Sequence, residues 1–93
     1  MSIYHWLITH DHIDGGASKG VQGPRGSTAT AEEITASGLA FRLHDDDGEL
    51  YYEGLYVGPD DESLFSPLDD FGMPNAGCTT IQYHNALGAW ETI

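Results

Sequence analysis

The chain is short of cysteine, proline and basic residues: one Cys, four Pro, and only Lys19, Arg25 and Arg42 carry permanent positive charge. Cys78 alone cannot close an intramolecular disulfide, which points to a reducing compartment or to indifference to oxidation. No apolar run approaches the roughly 18 residues of a membrane span. The N-terminus also lacks a basic region followed by an apolar stretch, so a cytoplasmic location is expected. Three basic residues stand against fifteen acidic ones, a formal net charge of −12. Coulomb repulsion therefore opposes direct encounter with nucleic acid or an anionic membrane. A basic protein surface, a cation or a small molecule remains open as a partner. An acidic surface also keeps a small protein soluble without binding anything.

What is present suits a globular fold. Residues 1–93 make a single domain, with 40% hydrophobic and 11% aromatic residues. A chain of this size buries roughly 60–65% of its unfolded surface, so a modest core is attainable. SIYHWLITH, residues 2–10, is strand chemistry, with Ile3 and Leu7 on one face and Tyr4, Trp6 and Ile8 on the other. Bulk on both faces predicts a central strand. Residues 14–28 are rich in glycine and small residues and read as a long loop. A helix of about two turns is expected next, capped by Thr28 or Thr30, with Glu32 and Glu33 in its first turn and Gly38 at its end. Its main apolar contact is Ile34.

Two hairpins follow. Leu39, Phe41 and Leu43 alternate with Ala40, Arg42 and His44, and Leu50, Tyr52 and Tyr56 share a face. Asp46, Asp47 and Gly48 supply the turn between these runs. Residues 58–77 read as a second irregular segment anchored by Leu64, Phe65, Leu68 and Phe71. CTTIQYH, the NALG turn and AWETI form the last hairpin, with Ile81 and Tyr83 facing the core and Trp90 closing the last strand. The expected fold is a small single α+β domain of about five mostly antiparallel strands, one short helix and long loops.

LITHDHIDGG, residues 7–16, is the stretch closest to a catalytic motif. It resembles the H-x-H-x-D-H metal motif of the metallo-β-lactamase fold, but Gly15 stands where that motif has its last histidine. The chain is also about half the length such domains take. His10 and His12 on one extended face lie about 6.6–6.8 Å apart at the backbone, within reach of one ion, and Asp14 could add an oxygen. A metal- or small-ligand-binding module on His10, His12 and Asp14 is thus one alternative reading. His5, His44 and His84 have no spacing relation to one another.

Asp45-Asp46-Asp47-Gly48-Glu49 looks like the start of a calcium loop. The bidentate Glu such a loop needs at its twelfth position is absent, because counting from Asp45 or Asp47 reaches Tyr56 or Gly58. The stretch reads as a turn. Cys78 and His84 on one strand would stand about 20 Å apart, too far for a nucleophile and its base, and Cys78 reads as a small buried hydrophobe. The glycines of the 15–26 loop lack the Lys and Ser/Thr of a phosphate loop. No enzyme and no cofactor are expected.

The words LHDDDGELYYEG and PLDDFGMPNAGCTTIQYHNALGAWETI, with SIYHWLITHDHI before them, resemble small acidic proteins encoded by actinobacteria and their bacteriophages. The resemblance implies a phage-type accessory protein acting inside a host cell by binding a host component, and no activity comes with it. The expected contact surface is acidic: Asp45, Asp46, Asp47, Glu49, Asp60, Asp61, Glu62, Asp69 and Asp70, all in turns or loops. The expected partner is a host protein with a basic surface, bound by a monomer or homodimer. The binding would inhibit a host factor, in its sharpest form by mimicking DNA. A minor virion or assembly component is the remaining alternative.

Overall fold

Strand alternation decides the architecture, and the computed structural model, which describes residues 4–12, 22–23 and 31–93, bears out the α+β class. Six strands are found among the described residues: β1 His5–Asp11, β2 Gln22–Gly23, β3 Leu39–His44, β4 Leu50–Val57, β5 Thr80–His84 and β6 Trp90–Thr92. They form one sheet in the order β2-β1-β4-β3-β5-β6, with every neighbouring pair antiparallel. The extra strand, β2, lies within the expected 14–28 loop, whose other residues fall outside the described ones. Gly23 pairs with Trp6, and a Cβ at Gly23 would sit 2.0 Å from the indole. A glycine there leaves room for the tryptophan ring.

One sheet face carries the core. Trp6, Ile8, Phe41, Leu43, Tyr52, Tyr56, Ile81 and Tyr83 are all buried on it. At about 1.5–3 kcal/mol for each fully buried large apolar side chain, this row is the main source of stability. Among the described residues, α1 (Ala31–Ser37) covers part of the other face by packing on β1 and β4. Ile34 is buried there, as is Leu7 on β1. The helix has the expected length and its expected acidic first turn. The expected caps Thr28 and Thr30 lie outside the described residues.

The segment expected to be irregular is helical. A 3-10 turn (Glu62–Phe65), a π-helical turn (Pro67–Gly72) and α2 (Met73–Ala76) follow one another across the core face. Pro67 and Pro74 each occupy the first turn of a short piece, where a proline loses no hydrogen bond. Asp61 caps the run by accepting from the Ser63 N–H at 2.8 Å, and Gly77, with φ +69, ends it by donating to the Met73 carbonyl. Leu64, Leu68 and Phe71 stand at helical spacing and meet the core. Phe65 falls off that stripe and is exposed, so it is not the anchor expected of it.

Bulges adjust two strands. Between Leu43 and His44 the register shifts, and Leu50 pairs with His44 instead of extending the row of Tyr52 and Tyr56 as expected. In β1 a shift at Thr9 keeps His10 opposite Glu53. The Asp45–Glu49 turn forms as expected. Asp45 Oδ1 accepts from the N–H groups of Asp47 and Glu49, both at 2.9 Å, and Gly48 takes φ +82.

Gly54 sits at the centre of the sheet, paired with Ile8 on one side and Phe41 on the other. A Cβ there would approach the Leu7 carbonyl to 2.3 Å and the Phe41 ring to 2.4 Å. Gly54→Ala is therefore expected to cost about 1–3 kcal/mol or more by overpacking, read as a lower urea midpoint with an unchanged m value. A midpoint equal to that of the parent protein would show that the two strands have slack.

Candidate functional site

The nine carboxylates expected to form one surface are divided by the fold. Asp45, Asp46, Asp47 and Glu49 occupy the turn at the start of β4, whereas Asp60, Asp61 and Glu62 follow its end. Eight extended residues separate the two groups by about 23 Å. Asp69 and Asp70 lie on the exposed side of the π-helical turn. Glu62, Asp69 and Asp70 share a shallow depression of about 260 Å³ with Tyr4, Ser63 and Ser66. Glu62, Asp69 and Asp70 thus make one ridge on the helical side, which Asp60 and Asp61 adjoin in sequence, and the β3–β4 turn is a separate acidic tip.

Some of these groups have structural work. The Glu49 N–H, then the Tyr51 hydroxyl and the Asp47 and Gly48 backbone, hold the Asp45 carboxyl below its ordinary range. Asp70 accepts from the Ser66 hydroxyl at 2.6 Å. Asp46, Asp47, Asp60, Asp61, Glu62 and Asp69 are exposed.

The opposite sheet face holds a constellation that the spacings did not reveal. His10, Glu53, Arg42, Gln82 and Thr92 lie in register across β1, β4, β3, β5 and β6. Residues opposite one another on antiparallel strands share a face. Alternation then adds His44 and His84, and His5 through its pairing with Val57. His12 joins through a 2.8 Å contact from Nε2 to Glu53 Oε2. All five histidines, three of which had no spacing relation in the sequence, therefore fall on one face. The available signal was strand parity: Arg42 and His44 alternate with Phe41 and Leu43, as Gln82 and His84 alternate with Ile81 and Tyr83.

Glu53 is the hub of this face. Arg42 Nε donates to its Oε1 at 3.3 Å, and the Arg42 guanidinium also lies 4.0 Å from the centre of the Trp90 ring. His84 packs on the same indole with ring centres 5.0 Å apart. Partial burial pushes the Glu53 carboxyl up, but hydrogen bonds from His12 and Arg42 outweigh it and leave the group below its ordinary value. Burial, then the Arg42 charge, lowers the His44 pKa, and its Nδ1 is buried without a partner among the described residues.

As expected, His10 and His12 share a face, with ring centres 6.1 Å apart and planes 17° from parallel. His12 is engaged by Glu53, and His10 Nδ1 lies 3.0 Å from the Thr9 hydroxyl. Asp14, the third expected ligand, lies outside the described residues. Among those described, no three His, Cys, Asp or Glu side chains converge on a point that could hold a metal ion. Burial pushes the Cys78 thiol up to about 11, so it is protonated at neutral pH and a poor nucleophile. No protein-family model, curated protein or solved structure matches the chain.

The Glu53 hub predicts a pH signature. A carboxyl held below its unfolded value stabilises the fold above that value and stops doing so as pH falls through the folded one. Glu53→Gln should cost about 0.5–1 kcal/mol at pH 7, since all three partners are partly exposed. Denaturant titrations should show the difference from the parent protein shrinking as pH falls below the reference value of 4.5. A difference independent of pH would mean that the hub acts by packing alone.

Proposed function

We propose that the protein is a non-enzymatic binding module that docks a basic host protein on the ridge of Asp60, Asp61, Glu62, Asp69 and Asp70. The observation that carries this reading is the charge separation across the sheet. No lysine or arginine among the described residues stands on the helical side, because Arg42 is held on the opposite face by Glu53 and Trp90. No described basic side chain neutralises the ridge field, which favours fast encounter with a basic surface.

Imitation of a DNA duplex is the weaker form of this reading. A duplex would present about 14 phosphates along the roughly 23 Å that separates the two acidic groups. Nine carboxylates divided between a ridge and a tip are too few and too discontinuous for that. A contact with one basic protein needs no such regularity. The resemblance to small proteins of actinobacteria and their phages supports an accessory protein acting in the host cytoplasm. Consistent with this, no helix among the described residues is long and apolar enough to cross a membrane.

Capture from actinobacterial lysate at low salt tests the reading, with two charge-neutralised proteins compared against the parent. Neutralising the five ridge carboxylates to Asn and Gln should abolish capture of a discrete basic protein. Neutralising Asp46 and Asp47 at the tip should leave it intact, and raising the salt several-fold should release the captured protein. Equal capture by the parent and ridge variants, or no salt dependence, sinks the proposal.

A further inference from the structure

The helical run begins too late to cover the whole core face. Between Val57 and Glu62 the chain loops away from the end of the sheet, and Leu64 is the first side chain of the run to reach the core. This leaves an open cleft of about 470 Å³, within the range of small-ligand sites. Tyr56 and Tyr83 form its bottom. Their hydroxyls donate to the Pro59 and Leu64 carbonyls, both at 2.8 Å, so the cleft floor presents rings rather than free polar groups. Leu39 and Ile93 line it and remain 42% and 43% exposed. Its acidic lining residues are Asp60 and Glu91.

We propose that this cleft binds a small organic cation with an apolar body, an arylalkyl ammonium or guanidinium. The apolar walls would take the hydrocarbon, and Asp60 and Glu91 would hold the charged head. Among the described residues no lysine or arginine lines the cleft; His84 does line it, with its ring packed on Trp90. A carboxylate ligand would meet like charge there, and a neutral one would leave both carboxylates uncompensated. The charges of Asp61 and Asp60 also raise the Tyr56 pKa, after burial, which agrees with a negative field at the bottom of the cleft. The site shares Asp60 with the ridge, but Glu91 and the apolar walls lie outside it and the proposal does not rest on that reading.

The test is methyl NMR on the intact protein at pH 7 and low salt. Three probes of the same body are compared: phenethylammonium, 2-phenylethanol and 3-phenylpropionate. The cation should shift the Leu39, Leu64 and Ile93 methyls saturably. The alcohol should bind about tenfold more weakly, the step expected for loss of one charge-assisted contact, and the anion should cause no shift. The exposed double substitution Asp60→Asn with Glu91→Gln should weaken the cation by about tenfold or more without changing the free protein's spectrum beyond the cleft. Neutralising Asp69 and Asp70 should change nothing. The proposal is overturned if the cation gives no saturable shift at millimolar concentration, if the alcohol matches it, or if the double substitution leaves its affinity unchanged.

Discussion

The Phe41 ring fills the space that a side chain at Gly54 would need, and the rest of the sheet depends on that fit. Phe41 is fully buried and pairs with Gly54 across β3 and β4. Slipping this pair by one residue would turn every side chain of β3 to the wrong face. With the pair in place, Leu43 meets Tyr52 on the core side and Arg42 meets Glu53 on the other. β1 and β5 are then aligned on either side of the same hairpin, which puts His10 and Gln82 in line with the ion pair. The core row and the polar row are two consequences of one register.

The two faces acquire opposite character through how they are covered. The helical run spans the core face, and its outward side carries acidic residues because they cap and start its short pieces. Asp61 caps the 3-10 turn, and Asp69 and Asp70 lie in the first turn of the π-helical piece. These are positions where negative charge meets unpaired N–H groups. Among the described residues, α1 packs on the β1–β4 side of the other face, and the row through Glu53, Arg42 and Trp90 is half-buried.

Much of this fold was legible because strands with one buried face repeat every two residues. Ile81 and Tyr83, the Asp46-Asp47-Gly48 turn and the short helix through Ile34 all follow from that period or from familiar turn chemistry. The helical run was not legible because proline, glycine and aspartate are turn formers wherever they are counted one by one. Pro67 and Pro74 became compatible with helix only once the run divided into three pieces, each supplying a first turn. The i, i+4, i+7 spacing of Leu64, Leu68 and Phe71 was the signal available. The candidate site was harder, because strand order and register are not local properties. His44 and His84 are forty residues apart in the chain, and only the pairing of β3 with β5 puts them on one face.

The placement of Arg42 ties the electrostatics together. A guanidinium can make a directed contact with a carboxylate while its plane lies over an aromatic ring, which an ammonium does less well. Arg42 does both, between Glu53 and Trp90, and is the one lysine or arginine among the described residues. Held on the polar face, it pairs with Glu53 and not with the carboxylates of the helical side. Had the same charge stood on the helical run, it would have paired with Asp69 or Asp70 and weakened the ridge field. Among the described residues, the sheet thus separates the one guanidinium from the carboxylates of the helical side.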